Sequence, residues 1–298
     1  RQRWPLISLR GVVKYHQAIP FISSPDSDIC LSAREKENSL LFKMEIESVL
    51  ITGSNRGIGL EFVKQLIKLP RPPKYIFATY RDRNTIEALE QLRDACKETI
   101  ILLIKMDARN ANEVESARRI IEDMVGEKGL NLLINNAGVL KRQGIPEITE
   151  ENMLLHFETN TVGPVMIFKE MLPVLQKAAT NGSAGMNVSK AAVLNISSAG
   201  GSIASQTGDF HKQRGDTISY KTSKAALNMA MKVISLTIKD QGVLVVNMCP
   251  GWVKTDLGSA AAELEVSESV SAMMNTLSRL NESHHGTFID RNGKTIPY

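Results

Sequence analysis

Cysteine is scarce in this chain: Cys30, Cys96 and Cys249 stand far apart and form no Cys-x-x-Cys pair. An odd, dispersed set excludes a disulfide framework and a thiolate zinc site, and suits a reducing compartment, so a cytoplasmic location is expected. Histidine is nearly as sparse. The one cluster, His284-His285, points its two rings in different directions and reads as surface, so no metal site is expected. Charge of one sign is also missing: the net charge is +4 and the lysines and arginines are scattered, which excludes a nucleic-acid stripe. No apolar run approaches the roughly 20 residues that cross a bilayer, so no membrane partner is expected. What remains is an ordinary globular composition, 43% hydrophobic and 23% charged over 298 residues. A chain of that length buries a core without staples.

Regularity is lacking at the start. Residues 1–43 carry Pro5, Pro20, Pro25 and the polar run Ser23-Ser24-Pro25-Asp26-Ser27-Asp28, with no sustained helical or strand period. They read as an N-terminal extension, disordered or non-native to the fold, or as a weakly transit-like leader. From Met44 to residue 298 a single domain is expected. Short β-branched runs at Ser48–Thr52, Tyr75–Thr79, Ile100–Lys105, Leu130–Ile134, Val193–Ile196, Val243–Met248 and Thr287–Ile289 are apolar on consecutive positions, as in parallel strands covered on both faces. Amphipathic stretches at Gly57–Leu69, Thr85–Ala95, Ala111–Val125, Thr149–Ala178 and Ser219–Lys239 lie between them. This alternation predicts an α/β fold, a Rossmann-type doubly wound parallel sheet.

Thr52-Gly53-Ser54-Asn55-Arg56-Gly57-Ile58-Gly59 falls between the first strand and the first helix. Glycines there let the backbone turn sharply against a pyrophosphate, and the helix N-terminus offers free N–H groups to it. The second strand ends in Arg81 and not in an acid. With Arg56 in the turn, a guanidinium fork is available for a 2′-phosphate, so NADP(H) is the expected cofactor. Tyr220 and Lys224, four apart, share a helix face. An ammonium about 4 Å from a phenol is worth about 4 kcal/mol at an effective dielectric of about 20, so Lys224 is expected to lower the Tyr220 pKa by roughly three units.

Thr-Gly-x-x-x-Gly-Ile-Gly, Leu103–Ala108, Asn135-Asn136-Ala137-Gly138, Tyr220-x-x-x-Lys224 and Pro250-Gly251-Trp252-Val253-Lys254-Thr255 occur in that order. In this the chain resembles the short-chain dehydrogenase/reductases, and its Tyr-Lys-Thr-Ser-Lys segment is similar to the sniffer and C-factor branch of carbonyl reductases. The resemblance implies a cofactor-binding set of Gly53, Asn55, Arg56, Gly57, Ile58, Gly59, Arg81, Asp107, Ala108, Asn135, Ala137, Gly138, Tyr220, Lys224, Pro250, Gly251, Val253 and Thr255. Within it Asp107 meets the adenine amino group and Lys224 the nicotinamide ribose. It implies a catalytic set of Ser198, Tyr220, Lys224 and Asn160. Ser198 is the oxyanion donor with Ser197 as the alternative, and Asn160 supports the lysine through a water. Family members form dimers or tetramers through their longest helices, so a homodimer or homotetramer is expected.

Ser198 and Tyr220 are 22 positions apart, separated by a polar, glycine-bearing stretch that reads as a surface loop with a solvated His211. Lys254–Leu280 reads as a mobile loop and helix over the cofactor. The expected activity is NADP(H)-dependent hydride transfer to or from a small carbonyl or alcohol. The alternative is a dinucleotide-sensing regulatory protein, and its signature, a broken Tyr, Lys or Ser beside an intact glycine turn, does not occur here. Substrate identity and reaction direction stay open.

Overall fold

The structure, a computed structural model, describes residues 44–181, 185–208 and 217–298. The N-terminal extension and His211 lie outside the described residues. Seven parallel strands form one sheet in the order β3-β2-β1-β4-β5-β6-β7. They are β1 (Ser48–Ile51), β2 (Tyr75–Tyr80), β3 (Ile100–Lys105), β4 (Leu132–Asn135), β5 (Ala192–Ile196), β6 (Leu244–Cys249) and β7 (Thr287–Asp290). The order reverses between β1 and β4, where a doubly wound sheet opens its ligand crevice at the carboxyl ends of the strands.

Successive strand residues feed opposite faces. Val49, Ile51, Ile76, Ala78, Leu132 and Ile134 pack into one core with Phe62, Leu66, Leu89, Met273 and Leu277. Leu50, Phe77, Leu133, Val193 and Val245 enter the other, with Ala117, Ile121, Met171, Val174 and Met231. Helices α1 (Gly57–Leu66), α2 (Glu87–Ala95) and α7 (Val266–Leu277) cover the first face. Helices α3 (Ala111–Val125), α5 (Gly163–Thr180) and α6 (Ile218–Thr237) cover the second. The chain becomes buried at once at its first described residues, Met44 and Ile46.

Two expectations change. The helix expected over Thr149–Ala178 starts under a Thr149 cap as α4 (Glu150–Phe157), widens into a π-helical turn over Glu158–Val162 and continues as α5. Asn160 sits in that turn, where its side chain bonds other groups and a regular helical ladder is relaxed. His285 is no surface residue. Its Nε2–H donates to the Ser235 carbonyl at 2.8 Å and its Nδ1 accepts from Val245 N–H at 3.2 Å, so it staples α6 to β6. The Lys254–Leu280 segment is braced by its own bonds: Lys254 N–H to the Leu264 carbonyl, Leu264 N–H to the Trp252 carbonyl, and indole Nε1–H to the Gly258 carbonyl at 2.6 Å.

Candidate active site

The glycine turn is held from two sides. Ser54 N–H donates to the Thr79 carbonyl and Gly53 N–H to Thr79 Oγ1, tying it to β2. Asn136 Nδ2 donates to the carbonyls of Thr52 and Gly53, tying it to the end of β4. Gly53 and Gly57 have φ of +65° and +54°, which side-chain-bearing residues rarely adopt. A methyl at Gly59 would sit 2.3 Å from the Gly53 carbonyl oxygen. Gly59 therefore serves turn-to-helix packing and lies outside the cleft wall.

A cleft of about 830 Å³ runs from Arg81 and Asp107 past Gly53, Gly57, Ala137 and Gly138 to Ser198 and Tyr220. Asn55, Arg56, Ile58, Ala108, Lys224, Pro250, Gly251, Val253 and Thr255 line it as well. Asn135 does not. Its side chain lies inside the sheet, where Nδ2 donates to Asn195 Oδ1 at 2.9 Å, and the cleft-lining asparagine is its neighbour Asn136. Adjacent residues at a strand end face opposite ways, and the doubled Asn hid which one turned outward.

At the Arg81–Asp107 end of the cleft, Arg109 grips both carboxylate oxygens of Asp107, Nη2 at 2.9 Å and Nε at 3.2 Å. That bond holds the Asp107 pKa below the usual carboxylate range, with Arg81 contributing through its charge. Arg109 is a site residue that sequence reasoning missed; its place two positions after the acid was the available signal. Arg56 reaches across the cleft mouth to Asp256 at 2.5 Å, linking the glycine turn to the segment after β6.

At the inner end, Ser197 Oγ donates to Asn228 Oδ1 at 2.6 Å and is turned into the protein. Ser198 and Tyr220 both line the cleft, and the serine side chain acts to lower the phenol's pKa. Ser198 Oγ accepts from Gly200 N–H at 3.0 Å, which fixes its rotamer. Replacing Ser198 by Ala is expected to lower turnover about a hundredfold with little change in folding. Ser197→Ala is expected to cost about 1–2 kcal/mol of stability by orphaning Asn228 Oδ1, with turnover near wild type in the folded fraction. Steady-state kinetics and thermal melts of both variants separate the two serines.

Lys224 is buried, and its Nζ donates to the Ile196 carbonyl at 2.8 Å while standing 5.9 Å from the Tyr220 ring centre. Burial pushes its pKa down to about 8. Burial also pushes Tyr220 up to about 12, against the lowering effect of the Ser198 side chain. The expected downward shift of the phenol is thus overturned. Desolvation disfavours the phenolate more than its polar neighbours favour it, and the ammonium is engaged by a backbone carbonyl. Asn160 spans two elements: Oδ1 accepts from Val139 N–H at 2.9 Å, and Nδ2 donates to the Val139 carbonyl and to Ser223 Oγ, both at 3.0 Å. It reaches the lysine's neighbour in sequence and clasps the wall of the cleft.

A parallel doubly wound sheet with a glycine-cradled cleft ending in Ser, Tyr and Lys defines a dinucleotide-dependent oxidoreductase. The family model described as short chain dehydrogenase matches residues 47–265, and the chain belongs to that family. Its nicotinamide cofactor and small-molecule substrate follow from membership. Among solved structures it is similar to the carbonyl reductase Sniffer of D. melanogaster, 39% identical with a TM-score of 0.80, covering 85% of this chain and 100% of that one. It is also similar to the NADPH-bound carbonyl reductase from chicken fatty liver, 38% identical with a TM-score of 0.79 over the same 85% and 100%. A Schizosaccharomyces pombe protein named as an uncharacterized oxidoreductase is 30% identical over 83% of this chain and 96% of its own length. Among the described residues no His, Cys, Asp and Glu group forms a metal cluster, and no helix is long and apolar enough to cross a membrane.

Proposed function

We propose that the protein is an NADPH-dependent reductase of small carbonyl compounds, working with Tyr220 as proton donor, Ser198 as the carbonyl's hydrogen-bond donor and Lys224 as the buried cation beside them. The observation that carries this reading is the placing of Tyr220, Lys224 and a Ser198 of fixed rotamer in one cleft with the glycine turn. The glycine cradle suits a pyrophosphate, because the positive-φ glycines and the end of α1 leave room and free N–H groups there. Arg81 and Arg56 would hold the 2′-phosphate, the Arg109-gripped Asp107 the adenine, and Lys224 the ribose hydroxyls. The reduced nicotinamide supplies the hydride when bound.

Tyr220, neutral up to about pH 12, keeps its proton until the substrate oxygen gains negative charge. Ser198 steadies the same oxygen through a hydrogen bond that strengthens as charge develops. Lys224, charged below about pH 8, stabilises that charge and the phenolate left behind. The carbonyl reductase activity of the D. melanogaster and chicken neighbours supports a carbonyl substrate, and the NADPH bound to the chicken enzyme supports the cofactor. Among the described residues Cys96 and Cys249 form no disulfide, which suits a reducing compartment such as the cytoplasm. Assembly into a homodimer or tetramer would cover the exposed Val162 and Met166 beside α5, and Met229, Val233 and Leu236 on α6.

The test is a panel of aldehydes, ketones and quinones followed by NADPH absorbance, repeated with NADH. Turnover with NADPH well above NADH is expected, and equal use of both cofactors overturns the NADP assignment. In the same assay Arg81→Ala is expected to raise KM for NADPH by about ten- to a hundredfold, the loss of one charge-assisted bond, and to leave NADH unaffected.

A further inference from the structure

The segment Val139–Arg142 lines the cleft, and one helix holds it twice. Asn160 clasps Val139 by both its N–H and its carbonyl. His156, four residues earlier, holds the next turn: its Nε2 accepts from Lys141 N–H at 3.0 Å. Asn152 Nδ2 donates to the Lys141 carbonyl at 3.3 Å, so both polar groups of that residue are spoken for. The imidazole is 0% exposed, and its Nδ1–H donates to the Asn152 carbonyl at 2.7 Å. One nitrogen donates and the other accepts, which fixes a single neutral tautomer and a single ring orientation. That ring meets Tyr220 edge to face, centres 6.5 Å apart at 77°. A bridge between Gln143 and Thr217 then ties the same segment to the start of the tyrosine's helix.

We infer that His156 is a positioning residue of the reductase: it sets the orientation of the Tyr220 ring and the place of the Lys141 backbone relative to it. This rests on the proposed role of Tyr220 as proton donor. A leucine at 156 fills the space but removes both bonds and the edge-on contact, so the phenol and the Val139–Arg142 segment lose their common reference. A glutamine retains an oxygen able to accept from Lys141 N–H. An asparagine retains only a donor toward the Asn152 carbonyl.

The experiment is steady-state kinetics of the full chain with NADPH and 4-nitrobenzaldehyde, across pH 6–9.5. It is run for wild type, Tyr220→Phe, His156→Leu, His156→Gln and His156→Asn, with NADPH affinity read by fluorescence titration and the folded fraction by circular dichroism. His156→Leu is expected to lose about ten- to a hundredfold in kcat, as small misplacements of reacting groups do, with NADPH affinity within about twofold of wild type. Its alkaline limb, which belongs to Lys224, is expected to stay in place, while His156→Gln restores most of kcat. A folded His156→Leu with wild-type kcat overturns the inference, as does a loss that only tracks the folded fraction. If the leucine variant does not fold, the two amides decide. Glutamine active and asparagine impaired supports the role, and equal kcat for the two overturns it. Wild-type turnover indifferent to Tyr220→Phe overturns the proposed function and this inference together; turnover that needs Tyr220 but ignores every change at 156 overturns the inference alone.

Discussion

Tyr220→Phe is expected to reduce carbonyl turnover by roughly 10²–10⁴-fold, the usual worth of a positioned proton donor, while NADPH binding and the fold persist. The ring stays in place because the partners of its carbon frame do not involve the hydroxyl: His156 meets it edge to face and α6 carries its backbone. What disappears is one O–H and the ability to deliver a proton to an oxygen in a site that burial has made poor at stabilising charge. The pH profile carries a second sign. With the phenol pushed up to about 12, its ionisation plays no part below pH 10. Lys224 sits at about 8, so reduction by the wild type is expected to hold steady below pH 8 and to decline as pH rises through it and the ammonium is lost. The variant's residual rate should follow the same limb. Measurement of kcat/KM from pH 6 to 9.5 for both proteins checks this. Wild-type turnover unchanged by the substitution would remove Tyr220 from the reaction.

Much of this site can be read in the sequence because its parts are local. The glycine turn declares itself by spacing between a strand and a helix, and the seven strands by consecutive apolar residues that only a sheet covered on both faces requires. The Tyr-Lys pair needs only helical periodicity. What escaped the sequence is what depends on partners distant along the chain. Whether Asn135 or Asn136 enters the cleft is decided by Asn195 on the neighbouring strand; Asn228 on α6 turns Ser197 inward, in line with the sequence's preference for Ser198. His285 becomes a staple only because Ser235 and Val245 come to meet it. The phenol's pKa failed for a related reason. A charge four residues away is visible in sequence, but the depth of burial and the Ile196 carbonyl that takes up the ammonium are not. The π-helical turn around Asn160 was likewise not legible, since the apolar pattern there runs through as one helix.

Lys224→Met is expected to separate activity from stability, because the lysine is a functional group that the fold holds at a cost. An exposed lysine titrates near 10.5, and this one is held at about 8 by desolvation. The charged form in the folded state is therefore disfavoured by about 3 kcal/mol at neutral pH. The methionine has similar length and no charge to desolvate. It leaves the Ile196 carbonyl without its donor, which costs about 1–2 kcal/mol, so a net gain of about 1–2 kcal/mol is expected at pH 7. The sign against pH follows. Between pH 8 and 10.5 the unfolded chain keeps the proton that the folded protein has shed, so wild-type stability from this group rises with pH in that window and the variant's advantage shrinks. Turnover should meanwhile fall by roughly 10²-fold, since a cation about 6 Å from the developing charge is worth about 3 kcal/mol at an effective dielectric of about 20. Denaturant melts at pH 7 and pH 9.5, paired with kinetics at pH 7, test all of this together. A variant that is inactive and less stable at neutral pH would mean that the ammonium is well solvated where it stands, and that the low proton affinity assigned to it is wrong.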